Sequence, residues 1–227
     1  MKDFVARGDF GPLWVCADSQ TAGRGRKGRD WVSPKGNLYA SGLYPWTGTI
    51  AEKPLMSFVA ANALADTLSE YMPQDKIGLK WPNDVLVDGS KIAGILLEAG
   101  EGWLSIGIGL NLQYHPENVA YPTTHVTEHI PSNADLEIAV SKLQAEKVLK
   151  QIVQNIEFGR AALQDEGFVP IRRKWLSRAT RLGERINVNL GEKVLSGVFE
   201  TIGKNGALKL RLDDNTLRDI MAGDVLL

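Results

Sequence analysis

The chain holds one cysteine among 227 residues, so no disulfide can form within it, and a reducing compartment is the expected setting. Cys16 stands in the apolar run Leu13–Ala17 with no basic neighbour, which reads as a small core hydrophobe rather than a catalytic thiol. Excess charge of either sign is also lacking. With 26 Lys plus Arg against 27 Asp plus Glu, the formal net charge is -1, which argues against a protein that coats nucleic acid by bulk charge. No apolar run approaches the roughly 18 to 20 residues of a membrane span. The opening residues 1–8 carry no continuous apolar stretch of a targeting signal, so a cytoplasmic chain without a membrane partner is expected. Internal repeats and low-complexity tracts are missing too. What is there is an ordinary globular composition, 44% apolar and 23% charged, which is enough to bury a core. The length exceeds the roughly 100 to 200 residues of one domain, so one sizeable domain with a small appendage is expected.

Short β-like runs alternate with helical patterns through the first part. Strands are predicted over Leu13–Ala17, Asn37–Tyr44, Ile77–Trp81, Val85–Val87, Lys91–Leu97 and Trp103–Leu110. Asp88-Gly89 between two of them is a hairpin signal, since both residues tolerate the positive φ of a tight primed turn. Pro54 opens a predicted helix to about Tyr71, with Leu55, Phe58, Val59, Ala63 and Leu68 on one stripe. Residues 113–134 carry Pro116, Pro122 and Pro131 among polar residues and read as a long loop. A long amphipathic helix is predicted from Asp135 to about Gln164, with Leu136, Val140, Leu143, Val148, Ile152 and Ile156 near one face, and a shorter one over Ile171–Ala179. After Gly183 the period becomes two, over 185–190, 194–202, 207–212 and 217–220. A tail of strands alone points to a separate small barrel.

The most unusual stretch is Gln20 to Trp31. Arg24, Arg26, Lys27 and Arg29 against Asp30 amount to +3 over seven positions, in a chain that is otherwise slightly acidic. Gly23, Gly25 and Gly28 interleave with these cations, so backbone amides can join the side chains around an anion such as a phosphate or carboxylate. The three glycines match the dinucleotide-binding spacing, but Trp31-Val32-Ser33-Pro34 stops the helix which that motif needs. A P-loop fails as well, because Arg29-Asp30 follow the last glycine where Lys and Ser or Thr are required. A solvated basic loop or a nucleic-acid contact is the plainer alternative. In Lys80-Trp81-Pro82-Asn83-Asp84, a lysine ends an apolar strand and Asp84 lies across the turn, close enough to pair with it; a structural salt bridge would look the same. Lys91 and Gly94, in Lys91-Ile92-Ala93-Gly94-Ile95-Leu96, offer a mobile cation beside an unobstructed backbone. Gly107-Ile108-Gly109-Leu110-Asn111 suits close ligand approach, or a bulge. His115, His125 and His129 fit no common zinc spacing and read as solvated loop histidines.

Taken together, the glycine–arginine loop ending in Trp31, Ser33-Pro34-Lys35-Gly36-Asn37-Leu38-Tyr39, Lys80 to Asp84, Lys91 to Leu96 and Gly107 to Asn111 resemble biotin protein ligases of the monofunctional type. The motifs occur in that family's order and span nearly the whole chain. The resemblance implies an α+β fold: a mixed β-sheet catalytic domain flanked by helices over residues 1–180, and a small C-terminal Src-homology-3-like β-barrel over 181–227. It implies that biotin is activated by ATP, with Mg²⁺, to biotinyl-5′-AMP and passed to a lysine of a biotin carboxyl carrier protein, as on acetyl-CoA carboxylase. Arg24, Lys80, Asp84 and Lys91 would then lie at the reacting centre, with Asp84 orienting a lysine or hydrated Mg²⁺. Gln20, Gly23, Arg24, Arg26, Lys91 and Gly94 would contact biotin. Arg24, Arg26, Arg29, Trp31, Asn37, Lys91 and Asn111 would bind ATP, Trp31 by stacking on adenine. The basic loop would be mobile without ligand, its ordering opposed by backbone entropy. The family's Ser-Thr-Asn helix is expected to be missing at the start. The winged-helix DNA-binding domain of its repressor-type members has no counterpart, so no nucleic-acid partner is expected. A homodimer is left open. The rival readings are a lipoate or octanoate ligase of related fold and a non-catalytic nucleic-acid-binding module.

Overall fold

A computed structural model describes residues 1–117, 119–131 and 143–226. After a short helix α1 (Lys2–Ala6), six strands form the main sheet: β1 (Leu13–Ala17), β2 (Leu38–Pro45), β3 (Ile77–Lys80), β4 (Asp84–Val87), β5 (Ser90–Gly100) and β6 (Trp103–Leu110). Their order is β1-β2-β6-β5-β4-β3. The sheet expected to be mixed is antiparallel at every pairing between these strands. The cause is local: β3 to β6 follow one another through tight turns, and the one helical connection, after β2, delivers its strand to the far edge rather than beside β2. Asp88 (φ 48°) and Gly89 (φ 80°) make the β4–β5 turn, as their residue types predict.

The register sorts β6 into two faces. Leu104, Ile106, Ile108 and Leu110 enter the hydrophobic core, while Ser105, Gly107 and Gly109 alternate onto the opposite side. Gly109 pairs with Gly94, and Gly107 with Ser41, so cross-strand neighbours carry the small residues over that face. The result is a shallow floor of backbone. On the core side lie α2 (Leu55–Leu68), α3 (Ala145–Glu166) and α4 (Phe168–Leu176). The stripe expected on α2 is an understatement: almost every residue is buried, because the helix is enclosed between the sheet and the other two helices and its alanines allow close approach. Phe58 meets Phe168 and Trp175 edge-to-face at 5.2 and 5.3 Å, and Asp66 pairs with Lys174 and Arg178. Trp175, 1% exposed, is the largest fully buried side chain. Trp175→Ala is expected to cost about 3–5 kcal/mol, seen as a lower urea midpoint with an unchanged slope.

Asp135, Leu136 and Val140 of the predicted long helix lie outside the described residues; within them α3 begins at Ala145. Cys16 corrects the sequence reading, for it is exposed on the edge strand β1. Partial burial and the nearby Asp18 push its thiol up, which favours the protonated form.

The C-terminal strands β7 (Arg185–Asn189), β8 (Val194–Ile202), β9 (Leu208–Arg211), β10 (Leu217–Ile220) and β11 (Asp224–Leu226) form a second antiparallel sheet in the order β10-β9-β8-β7-β11. β11 is absent from the sequence prediction, being three residues long with a partner far upstream in β7. The appendage is not detached. Its Ile186, Val188, Phe199 and Leu208 belong to the same buried cluster as the main core. Trp81 Nε1 donates to the carbonyl of Gly206 at 3.1 Å, tying the two sheets together.

Candidate active site

A cavity of about 230 Å³ lies over the glycine floor, walled by the basic loop on one side and by Lys91 and Tyr121 on the other. The loop curls back on itself. Gly25 N–H donates to Arg29 O and Trp31 N–H to Gly23 O, around a single 3₁₀ turn at 26–28 in which Lys27 and Gly28 take φ of 56° and 72°. No α-helix starts at these glycines, in keeping with the exclusion of a dinucleotide site. Gly23 has no room for a side chain: a Cβ there would lie 2.4 Å from Trp31 O and 2.7 Å from Gln20 Oε1. Gln20 itself accepts from Ser33 Oγ and lines the cavity.

The loop's cations divide into two sets. Lys27 and Arg29 each reach the Asp224 carboxylate at 3.1 Å, and Arg26 stands 3.6 Å from it. Arg26 also donates to Asn83 Oδ1 and Gly223 O, both at 3.3 Å. Burial alone would raise the Asp224 carboxyl, but the Lys27 hydrogen bond and the charges of Arg29, Lys27 and Arg26 outweigh it and hold the group below the usual carboxylate range. Arg24 differs. Among the described residues its guanidinium has no ion-pair or hydrogen-bond partner, and it lines the cavity.

On the strand side, Asp84 sits between two ammonium groups, Lys91 Nζ at 2.7 Å from Oδ1 and Lys80 Nζ at 3.1 Å from Oδ2, all 12–13% exposed. The predicted Lys80–Asp84 pair is therefore present, with Lys91 as a second partner. Lys80 also reaches Val225 O at 3.4 Å, and it faces the C-terminal sheet rather than the cavity. Both carboxylate oxygens of Asp84 hold an ammonium group, in keeping with the expectation that it orients a lysine. Lys91 Nζ lies 5.3 Å from the ring centres of both Trp31 and Tyr121, so its cation is fixed by one carboxylate and two aromatic rings.

Trp31 occupies an unexpected position. A Cβ added to Gly109 would lie 2.4 Å from its Cε2, and one added to Gly94 would lie 3.0 Å from its Cζ3, so the indole rests on the glycine pair. Its Nε1 is buried with no hydrogen-bond partner. Asn37 stands elsewhere. At 3% exposure, its Oδ1 accepts from the backbone N–H groups of 112–114 and its Nδ2 donates to Tyr114 O, so its amide clamps the loop after β6. Asn111, 2% exposed, donates to Thr124 O and borders a smaller recess behind Trp31. Sequence reasoning gave no role to Asn83, Tyr121 or Asp224. Asn83 lies inside a motif that was singled out, but Tyr121 is in a proline-rich loop and Asp224 is almost 200 residues from the cations it gathers.

Comparison with known proteins decides the family. Residues 11–111 match the Biotin/lipoate A/B protein ligase family, and residues 182–227 match the Biotin protein ligase C terminal domain. The chain is 41% identical to the biotin–[acetyl-CoA-carboxylase] ligase of Paracoccus denitrificans, over 91% of this chain and 87% of that one. The chain belongs to the biotin protein ligase family. The biotin–[acetyl-CoA-carboxylase] ligase of Mycobacterium tuberculosis is 28% identical over 99% of this chain and 84% of its own. Among solved structures, the Aquifex aeolicus biotin protein ligase in complex with biotin and ATP aligns with a TM-score of 0.72 at 28% identity, covering 94% of this chain and 87% of that one. No helix among the described residues is long and apolar enough to cross a membrane.

Proposed function

We propose that this chain is an ATP-dependent biotin–[biotin carboxyl carrier protein] ligase. One observation carries the reading: unpaired Arg24 and the fixed Lys91 cation line one cavity over a glycine floor, in a chain 41% identical to such a ligase over 91% of its length. In the first step, a biotin carboxylate oxygen attacks the α-phosphorus of ATP and pyrophosphate leaves. In the second, a carrier lysine amine attacks the acyl carbon of the mixed anhydride, and AMP leaves as the C–O bond breaks. The first step brings two anions together. Lys91, held by Asp84 and two rings, lowers that repulsion from a fixed position in a partly dry site, where such a group acts without reorganising, and the unpaired Arg24 adds its charge from the loop. Arg26 and Arg29, held on Asp224, border the nucleotide side.

Trp31 sits where the acyl group would lie. The ring therefore leaves Gly94 and Gly109 when biotin enters, and is then free to stack on adenine. The orphaned Nε1 favours this exchange, since a buried unpaired donor costs about 1–3 kcal/mol. The loop orders over the adenylate and keeps water from the anhydride. The second sheet is the C-terminal domain from about residue 181, closing as a Src-homology-3-like barrel that supplies Asp224 as the loop's anchor. Mg²⁺ accompanies ATP. The acceptor is a lysine on the carrier domain of a carboxylase.

The nucleic-acid alternative is disfavoured by the same geometry, because three of the loop's four cations converge on one carboxylate. Biotin-dependent exchange of labelled pyrophosphate into ATP is the direct test of the first step. Exchange supported by lipoate but not biotin would replace the reading, and no exchange with either would remove it.

Asp224→Asn should release the loop. Each contact to exposed Lys27 or Arg29 is worth only about 0.2–1 kcal/mol, so the fold should survive. Adenylate should escape into solution faster while the carrier-dependent rate falls, as read by trapping free biotinyl-AMP. A depressed carboxyl stabilises the folded state fully above its unfolded value of about 4 and loses that contribution as pH falls through the lower folded value. The stability gap between parent and variant should therefore be full at neutral pH and close only in more acidic solution.

A further inference from the structure

The proline-rich loop beyond β6 carries a cluster that the ligase reaction does not use. His115, His125 and Glu128 each offer one ligand atom, and these atoms all lie within 4.8 Å of one another. Glu128 Oε1 is 3.5 Å from His125 Nε2 and 3.8 Å from His115 Nδ1, and the two imidazole rings lie 5.1 Å apart, tilted by 32°. Three ligands at roughly 2.0–2.2 Å from one tetrahedral centre are about 3.4 Å apart. The Glu128 oxygen is thus within a few tenths of an ångström of that spacing from each histidine, and the whole set lies within 4.8 Å. The reading of these histidines as solvated is overturned: the side chains of His115 and His125 are 20% and 17% exposed.

We propose that His115, His125 and Glu128 bind one divalent transition-metal ion, zinc being the best fit, with the fourth position open to water. Two imidazoles and one carboxylate select such an ion over Mg²⁺ or Ca²⁺, which take oxygen donors. The surrounding contacts orient each ligand. His125 Nδ1 lies 2.7 Å from Thr127 Oγ1, so it can carry the proton and leave Nε2 bare for the metal. Thr124 Oγ1 holds Glu128 Oε2, turning Oε1 toward the histidines, and His129 Nε2 braces Thr124 at 2.8 Å. His115 Nδ1 is buried and has no hydrogen-bond partner, as expected of a nitrogen that waits for a metal. Glu128 is 44% exposed and leaves a path from solvent.

None of the three residues borders the main cavity, so the ion's role is structural. The segment it would clamp holds the strand end at the reaction centre. Lys91 N–H donates to Pro122 O at 2.8 Å, Thr124 N–H donates to Lys91 O at 3.0 Å, and Asn111 Nδ2 donates to Thr124 O at 3.0 Å. Metal binding would stiffen the loop that presents Tyr121 to Lys91.

The test uses the full-length, untagged chain stripped with chelator. Titrated Zn²⁺ should bind at one ion per chain and raise Tm by about 5–10 °C at a hundredfold excess over Kd. Co²⁺ in its place should give the visible absorption of a four- or five-coordinate site. His115→Ala, His125→Ala and Glu128→Gln should each lose the stoichiometric site, whereas Asp213→Asn, at an exposed turn of the C-terminal sheet, should keep it. Zn X-ray absorption on the unmutated protein, which needs no variant to fold, should show two imidazole nitrogens. No binding by the stripped protein, equal binding by the variants, or a shell without imidazole would each overturn the proposal.

Discussion

Lys91→Met is expected to lower the rate of adenylate formation by about 10² to 10³, in line with the loss of one fixed charge from a transition state of this kind. Methionine keeps most of the length and the contact with Trp31 and Tyr121, and it removes the ammonium. Two effects then add. The developing charge between carboxylate and α-phosphate loses its nearest cation, and Asp84 loses the closer of its partners, Lys91 at 2.7 Å, while keeping Lys80 at 3.1 Å. The remaining Lys80–Asp84 pair is still matched in charge, which leads to a separable expectation. The double variant Lys91→Met, Asp84→Asn leaves the largely buried Lys80 ammonium without a carboxylate, so it should be less stable than the single variant in urea unfolding and should not recover pyrophosphate exchange. If the single variant exchanged at the parent rate, Lys91 would have no part in the chemistry.

Gly94→Val should abolish biotin binding while leaving the sheet intact, with the biotin KM raised at least about a hundredfold. Gly94 and Gly109 face each other across β5 and β6 and carry no side chains of their own, so the Trp31 indole rests directly on their backbone. Even the first carbon of a side chain at Gly94 would lie 3.0 Å from Trp31 Cζ3, against 2.4 Å from Cε2 at Gly109. A branched residue at either position fills the volume that both the indole and the acyl group need. Valine also suits a strand, so folding is not the casualty. Trp31→Ala distinguishes the two occupants: it should weaken ATP more than biotin if the ring moves onto adenine, and it should remove the biotin-induced change in tryptophan fluorescence that the ring's departure from the glycine floor produces. Unaltered biotin affinity in Gly94→Val would place the acyl site elsewhere.

The elements visible in the chain were those with a local cause. β1 and β6 fell on their predicted bounds because apolar runs of strand length stood between turn-forming residues, and Asp88-Gly89 announced its own turn. The Lys80–Asp84 pair was legible for a similar reason, since four residues and a proline turn bring the two together. Cys16 misled, because an apolar run does not say whether its strand lies at a sheet edge. The histidines misled in a different way: their spacing matched no known pattern, yet the 3₁₀ turn at 126–129 places His125 and Glu128 on one side and the loop returns His115 to them.

By itself, the amino-acid order determined the composition of the site: a glycine-spaced set of cations, two lysines flanking one aspartate, and strands whose small residues alternate with large ones. Periodicity and turn chemistry act over a few residues, and they are written in the chain. Only the tertiary structure decided which charges remain available. Asp224, brought by β11 from the far end, gathers Arg26, Lys27 and Arg29 on one carboxylate and leaves Arg24 open, while the pairing of β5 with β6 turns two isolated glycines into the single floor on which Trp31 lies. Such contacts depend on where distant segments meet, and no local pattern of residues encodes that meeting.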